Sequence, residues 1–183
     1  MLKKENNKGK IIITILIIAI LVASTAGFLM TSEDDGNYKT YKDYKIYQAQ
    51  ESRYEISVND QLYPIDYLPE ELENIAMPNF QLSDIVYILY NQSDGSLLNW
   101  QMRKMSSVLL GFGVRVNPAC KTEENCPNIP VITCKDRPSI IELRLGNELK
   151  LFKEDNCLVL QGTQEDINKL ADKIDLALLN VIK

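Results

Sequence analysis

Residues 84–116, DIVYILYNQSDGSLLNWQMRKMSSVLLGFGVRV, decide the fold that this sequence predicts. The run Asp84–Tyr90 is nearly continuous in apolar residues, which is typical of a strand buried on both faces. Apolar residues then recur at roughly helical spacing from Leu97 to Phe112, and Gly111 or Gly113 is expected to end that helix. Val114–Val116 follows as a strand. The stretch is therefore predicted to be a βαβ unit whose two strands lie parallel in one sheet.

Further strands and a helix are predicted on the C-terminal side of this unit. The expected strands are Ile129–Cys134, Ile140–Leu145, Leu149–Phe152 and Cys157–Gln161. Gly146-Asn147 has the composition of a hairpin turn between the second and third of them. Thr163, with Asp166 at the capping-box position, is expected to begin an amphipathic helix that closes the sheet.

The N-terminal side predicts a small antiparallel meander. Its strands are expected at Tyr44–Gln48, Arg53–Val58 and Gln61–Tyr63, followed by at most a short helix within Glu70–Ile75. The fold class is α/β (α+β): an N-terminal transmembrane helix, a β-meander, and a βαβ-containing mixed sheet closed by a C-terminal amphipathic helix.

Residues 11–30, IIITILIIAILVASTAGFLM, carry no charge and are long enough to cross a bilayer as a helix. Lysines precede this run and acidic residues follow it, so the N-terminus is expected in the cytoplasm. We therefore predict a cytoplasmic basic tail at 1–10, a signal-anchor helix in the lipid bilayer at 11–30, an acidic linker at 31–43 and an extracytoplasmic domain at 44–183. Two alternatives stay open: a cleaved secretory signal, and a pilin-type leader cut after Lys8-Gly9.

Charge and composition exclude several classes of function. Residues 31–183 hold 16 basic and 24 acidic residues, which are the 20 and 25 of the whole chain less four lysines and Glu5. A net charge of −8 repels nucleic acid, so no nucleic-acid partner is expected. The chain has no histidine, which removes the commonest general base and the usual zinc ligand. With no recognisable catalytic constellation, we predict that the protein is not an enzyme.

Four cysteines, an even number on the exported side, predict two disulfides. Sequence alone leaves three pairings open among Cys120, Cys126, Cys134 and Cys157. We favour Cys120 with Cys126, which closes a short polar loop, and Cys134 with Cys157, which could join two neighbouring strands. A four-thiolate zinc site is disfavoured because the gaps of five, seven and twenty-two residues lack the usual short spacing.

No cofactor or metal site is predicted. Gly111-Phe112-Gly113 lies where a helix passes into a strand, whereas phosphate loops run from a strand into a helix. Four acidic pairs could supply carboxylates for glycoside hydrolysis or calcium binding: Glu70-Glu71, Glu123-Glu124, Glu154-Asp155 and Glu165-Asp166. Each lies in a predicted turn, short helix or cap, where solvated acids are ordinary, so no pair can be singled out.

Two features of the predicted outer surface remain. Tyr38, Tyr41, Tyr44 and Tyr47 recur every third residue and could form a ligand surface, although tyrosines are also common on half-exposed strands. Asn91-Gln92-Ser93 is the only acceptor motif for N-glycosylation.

Several short motifs give the chain a family resemblance. They are Tyr67-Leu68-Pro69-Glu70, Cys126-Pro127-Asn128-Ile129-Pro130, Asn156–Gly162 and Ala171-Asp172-Lys173. In these, the chain resembles a group of uncharacterised single-pass membrane proteins of small-genome archaea, and its closing strand, glycine and helix are faintly similar to surface-layer protein repeats. The resemblance implies an exported α/β domain with disulfides, and it implies no activity.

The sequence thus predicts a membrane-anchored, extracytoplasmic structural or interaction protein of the cell envelope. One alternative is a module that binds an envelope glycan or peptide through the tyrosine-rich meander. A second is an envelope hydrolase that uses carboxylates.

Overall fold

A computed structural model describes residues 38–50, 52–137 and 139–183. The predicted basic tail, the predicted anchor at 11–30 and residues 31–37 of the predicted linker lie outside the described residues. Within the part of the chain that is described, no helix combines the length and apolar character that a bilayer crossing requires.

The first sheet is the expected meander, with one more strand than predicted. Its four strands pair antiparallel in chain order: β1 (Tyr38–Tyr41), β2 (Tyr44–Gln48), β3 (Tyr54–Val58) and β4 (Gln61–Ile65). Ile46 and Ile56 pair across β2 and β3 and are buried on the inner face. Because β1 lies within the segment predicted as a linker, the folded part begins at least six residues earlier than expected.

The βαβ prediction is confirmed in the second sheet. After the short helix α1 (Pro69–Leu72), strand β5 (Ile85–Tyr90) leads through a single 3-10 turn into helix α2 (Gly95–Gly111). Strand β6 (Arg115–Cys120) then returns parallel to β5. The remaining elements are β7 (Ile140–Leu145), β8 (Lys150–Glu154), β9 (Cys157–Gly162) and helix α3 (Gln164–Leu178).

The prediction of a β-hairpin with its turn at Gly146-Asn147 is wrong. The strand order is β6-β5-β7-β9-β8, so β9 lies between β7 and β8 and pairs with β7 in parallel. The physical reason is burial: β7 and β9 are both mainly buried, whereas β8, with the sequence KLFKE, is charged enough for a sheet edge.

The prediction of a strand at Ile129–Cys134 is also wrong. Only Val131 forms an isolated bridge, to Cys120, and the rest of the stretch is loop. Pro127 and Pro130 each lack the backbone donor that a ladder needs.

Three apolar clusters stack the elements into layers. Helices α2 and α3 pack on one face of the second sheet, with Ile88, Leu143 and Leu160 among the buried residues beneath them. The meander packs on the outer side of the same helices, where Ile56 and Val108 are buried together. On the opposite face of the second sheet, the loop of residues 121–137 covers Leu89 and other apolar residues.

Candidate functional site

A polar cleft of about 700 Å³ opens where the meander meets the beginnings of α2 and α3. Asp66 and Tyr67 follow β4 directly, Trp100 lies in the second turn of α2, and the start of α3 supplies a third wall. The complete lining is Arg53, Asp66, Tyr67, Trp100, Gln101, Thr163, Gln164, Glu165 and Asn168.

The start of α3 is fixed by its cap, as the sequence predicts. The hydroxyl of Thr163 accepts from the Asp166 N–H, and the Asp166 carboxylate accepts from the Thr163 N–H at 2.9 Å. Gly162 precedes this capping box, and a Cβ at that position would overlap the Asp166 side chain. This tight passage from β9 into α3 places Gln164 and Glu165 at the cleft.

The floor of the cleft is the carboxylate of Asp66, which accepts hydrogen bonds from three side chains on the two helices. Its Oδ2 accepts from Lys104 Nζ at 2.8 Å, Asn168 Nδ2 at 2.8 Å and Trp100 Nε1 at 3.3 Å. Lys104 Nζ also donates to Asn168 Oδ1 at 2.7 Å. Burial alone would raise the pKa of Asp66, but the bonds from Lys104, Asn168 and Trp100 outweigh it, so its pKa lies below the usual value.

Behind this floor, Asp172 of α3 balances the buried ammonium of Lys104. The Lys104 Nζ lies 2.6 Å from Asp172 Oδ1, and both side chains are fully buried. The other oxygen, Asp172 Oδ2, accepts from the backbone N–H of Asp66 at 2.7 Å and of Tyr67 at 2.9 Å. Asp172 therefore ties the end of the meander to α3, and the strong burial raises its pKa to about 6 despite Lys104.

Tyr67 forms part of the cleft wall and has its polar end fixed. Its hydroxyl donates to Glu165 Oε1 at 3.0 Å, while Arg53 and Lys169 each lie 5.5 Å from the centre of its ring. Burial and the bond to Glu165 raise the pKa of Tyr67, so the hydroxyl stays protonated.

Formal charges around the cleft nearly balance. Arg53, Lys104 and Lys169 oppose the carboxylates of Asp66, Glu165 and Asp172. The carboxylate of Asp166 in the α3 cap adds one further negative charge. A cleft of this kind offers many hydrogen-bonding groups and two aromatic rings without a strong net field, which suits an uncharged polar ligand.

A second buried acid of α3, Asp175, lies about one turn after Asp172. Among the described residues neither of its carboxyl oxygens has a hydrogen-bond partner, and the side chain is buried. Burial raises its pKa well above the usual value, with the nearby charge of Asp172 acting in the same direction. Both effects favour the uncharged form of the Asp175 carboxyl.

The four predicted ligand tyrosines do not form one surface. Tyr38 and Tyr47 pair across β1 and β2, with ring centres 5.8 Å apart. Tyr41 is buried on the inner face, where its hydroxyl donates to Glu73, and the Tyr44 hydroxyl donates to the Asn180 carbonyl at 3.4 Å. The correction follows from strand geometry, because side chains alternate with a period of two and a spacing of three reaches opposite faces.

The acidic pairs have separate surroundings. The Glu71 carboxylate accepts from the Leu68 N–H at the start of α1, and Glu123 and Glu124 are exposed. Glu154 pairs with Arg144 on the second sheet. Only the Glu165-Asp166 pair lies at the cleft, with Glu165 in its lining and Asp166 in the cap of α3.

The two disulfides follow the pairing that the sequence favours. Cys120 is joined to Cys126 and Cys134 to Cys157, and no cysteine in the described residues is free. The second bond joins the loop of residues 121–137 to β9 rather than joining two strands, because Cys134 is not in a strand.

Sequence reasoning misses most of the cleft, since its floor combines residues more than 100 positions apart, such as Asp66 and Asp172. One signal was available. Lys104 and Asp172 are charged residues within the apolar stripes of their helices, and a charge on a buried helix face needs a partner.

Comparison with known proteins identifies no relative: no family model, curated protein or solved structure matches this chain. The site is therefore interpreted from its own geometry.

Proposed function

We propose that this chain is a membrane-anchored, extracytoplasmic interaction protein of the cell envelope, and that its cleft binds an uncharged, hydroxyl-rich ligand such as an envelope glycan. The observation that carries the proposal is the pairing of aromatic rings with fixed hydrogen-bonding groups in one cleft. Trp100 and Tyr67 lie beside Asp66, Glu165 and Asn168.

This combination matches the chemistry of sugars. The apolar face of a sugar ring packs against an aromatic ring, while its hydroxyls exchange hydrogen bonds with carboxylates and amides. The groups of the floor are already held in place by Lys104 and Asp172, so little ordering is needed when a ligand binds.

Location outside the cytoplasm is part of the same proposal. The uncharged run at 11–30 and the lysines before it support a single-pass anchor with a cytoplasmic N-terminus. The two disulfides support an oxidising compartment for the folded domain.

Trp100 is the only tryptophan of the chain, so its fluorescence reports on the cleft directly. The full-length protein in phospholipid nanodiscs would be titrated with soluble oligomers of N-acetylglucosamine, mannose and glucose. We expect a saturable change in Trp100 emission with at least one of them. Gln164→Ala, on the exposed cleft wall, is expected to weaken that binding at least about fivefold.

Tyr47→Ala provides the matched control, because Tyr47 pairs with Tyr38 on the meander and is not part of the cleft lining. Binding unchanged in Tyr47→Ala and weakened in Gln164→Ala supports the cleft. The reverse result would move the ligand to the meander, and no response to any oligomer would count against a glycan ligand.

The hydrolase alternative has less support. The pKa of Asp66 is lowered, so Asp66 does not resemble the protonated acid that glycoside hydrolysis needs, and the Glu165 carboxylate already accepts a hydrogen bond from the Tyr67 hydroxyl.

A further inference from the structure

A second polar cluster lies on the other face of the second sheet, under the loop of residues 121–137. The Cys134–Cys157 disulfide joins this loop to β9, and Glu142 of β7 lies beside it, with its Oε2 3.4 Å from the Cys134 Sγ. Both sulfur atoms and a carboxylate oxygen lie within 4.8 Å of one another. Glu142 and Cys157 are buried, while Cys134 is half-buried in the wall of a cavity of about 450 Å³.

The carboxylate of Glu142 is oriented by its neighbours. Its Oε1 accepts from Lys121 Nζ at 2.7 Å and from Arg144 Nε at 2.9 Å, and its Oε2 accepts from Arg144 Nη2 at 3.0 Å. Arg144 Nη2 has a second partner, Glu154 Oε2, at 2.9 Å. Carboxylates that bind metals are commonly hydrogen-bonded to neighbouring groups, and here both oxygens of Glu142 are engaged, with Arg144 Nη2 as the side-chain donor to Oε2.

We propose that reduction of the Cys134–Cys157 disulfide converts this cluster into a site for a thiophilic divalent cation of the zinc class. Its protein ligands are the sulfurs of Cys134 and Cys157 and the Oε2 of Glu142, and the cavity supplies water as the fourth ligand. While the disulfide is intact, the site is closed.

The spacing of the atoms fits this assignment. Tetrahedral zinc with bonds of about 2.3 Å to sulfur and about 2.1 Å to oxygen places a sulfur and an oxygen about 3.6 Å apart. The observed distance from Cys134 Sγ to Glu142 Oε2 is 3.4 Å. Once the S–S bond is broken, the two sulfurs need to separate to about 3.7 Å, the edge of the same tetrahedron.

The chemistry balances with a dithiol as reductant. The dithiol gives two electrons and two protons to the disulfide, which becomes two thiols, and is itself oxidised to a disulfide. Binding of the cation then releases the two thiol protons, since the thiolate is the ligand form. Arg144 gives up Oε2 to the ion and keeps its contact with Glu154, while Lys121 stays on Oε1.

This set of ligands differs from the four-thiolate site that the cysteine spacing disfavours. The third ligand comes from β7, eight residues after Cys134. The parallel pairing of β7 with β9 places Ile140 opposite Cys157, and Glu142 lies near Cys157 in the same pair of strands.

The test uses Co²⁺, whose bonds to thiolates give an intense near-ultraviolet absorption. Full-length protein carrying Cys120→Ala and Cys126→Ala, so that one cysteine pair remains, would be titrated before and after reduction by a dithiol that is then removed without oxygen. We expect one Co²⁺ per chain after reduction and none before it. Glu142→Gln is expected to weaken Co²⁺ binding at least about tenfold.

Glu154→Gln is the matched control, because Glu154 contacts Arg144 but is not a proposed ligand. Equal affinity in Glu142→Gln and Glu154→Gln would overturn the assignment of Glu142. Equal Co²⁺ uptake by the oxidised protein would overturn the role of the disulfide. Circular dichroism accompanies each titration, and loss of the fold on reduction would overturn the proposal, since the three ligands would no longer be held together.

Discussion

At the scale of single residues, the cleft depends on one buried cation. The ammonium of Lys104 contacts the carboxylates of both Asp66 and Asp172 and is fully buried. Burial alone would lower the pKa of Lys104, but Asp172 and Asp66 together raise it above its usual value. The three charges are stable in the interior only as a group, because an unpaired buried charge is strongly destabilising.

Replacing this cation is therefore expected to destabilise the fold in a pH-dependent way. Lys104→Met leaves two carboxylates without a counter-charge and should lower the free energy of unfolding by about 3–5 kcal/mol at pH 8. The loss should be smaller at pH 5, since the pKa of Asp172 is about 6 and the acid is then protonated. Urea unfolding followed by Trp100 fluorescence measures this difference.

The exposed Lys153 on edge strand β8 offers the control, and Lys153→Met should stay within about 0.5 kcal/mol of the wild type at both pH values. A Lys104→Met loss that is equal at pH 5 and pH 8 would contradict the role given to Asp172.

Asp175 gives a separate prediction about how stability depends on pH. Its pKa in the folded state lies well above that of an unfolded chain, about 3.9. Its contribution to stability is thus fully present below about pH 4 and is lost as pH rises through the folded pKa. Asp66 and Glu142, whose pKa values are lowered, act in the opposite sense and lose their contribution as pH falls below about 4.

We expect Asp175→Asn to change the free energy of unfolding by no more than about 1 kcal/mol near pH 4 and to stabilise the protein relative to the wild type increasingly as pH rises above about 4, until the folded pKa of Asp175 is passed. The measurement is urea unfolding of both proteins at pH 4, 7 and 9. If the free energies of unfolding of the wild type and of Asp175→Asn changed in parallel with pH, the Asp175 carboxyl would not be buried in its neutral form.

At the scale of secondary structure, local sequence patterns predicted the positions of helices and strands well, but they predicted poorly which strands pair with each other. The apolar run at 85–90, the helical stripe of α2 and the capping box of α3 are local patterns, and the structure has all three. The order of β7, β8 and β9 depends on which strands compete best for the centre of the sheet. That competition is settled by burial across the whole sheet, which neighbouring residues do not encode.

The junction of β9 and α3 gives a prediction at this scale. Gly162→Ala would place a Cβ against the Asp166 side chain and disrupt the capping box, so we expect a loss of roughly 2 kcal/mol in the free energy of unfolding. Because Gln164 and Glu165 follow directly, oligosaccharide binding at the cleft should weaken as well. Urea unfolding and the Trp100 titration measure the two effects.

Gly111→Ala, at the last residue of α2, is the comparison. Its Cβ would meet the Tyr63 hydroxyl at an ordinary 3.7 Å, and the substitution should be neutral or stabilise by up to about 1 kcal/mol. If Gly162→Ala proved equally well tolerated, the close approach at the junction would not be a constraint.

At the scale of the whole molecule, the cleft and the Cys134 cluster lie in different layers of the domain. The cleft is built by the meander and the two helices, whereas the disulfide cluster lies beneath the loop on the far face of the second sheet. Neither site could be predicted from the sequence as a unit, because each combines residues from at least three elements. Separate parts of the two sites could be predicted: the cysteine pairs of the disulfide cluster, and the helix cap and an acidic residue at the start of α3 for the cleft.

Glycosylation at Asn91 tests the proposed extracytoplasmic location independently of the cleft. It is exposed directly after β5, and Ser93 of the same motif is exposed too. We predict that protein from native membranes carries a glycan at Asn91, seen as a mass increase that Asn91→Gln abolishes and the exposed-site control Asn99→Gln does not. A native mass that matches the bare polypeptide would contradict this prediction.

The anchor and the disulfides can be tested together on protein extracted from native membranes in the presence of a thiol-alkylating reagent. If residues 1–30 are retained and the domain faces an oxidising compartment, the polypeptide after removal of any glycan should have the full-length mass near 20.9 kDa. It should then gain alkyl groups only after reduction, one for each of the four cysteines.

A shorter polypeptide would favour a cleaved leader. Alkylation before reduction would mean that the domain meets a reducing compartment, because exported disulfides persist only where thiols are not regenerated. In that case the orientation inferred from the lysines before residue 11 would be reversed, and the metal form of the Cys134 cluster would become the resting state of the protein.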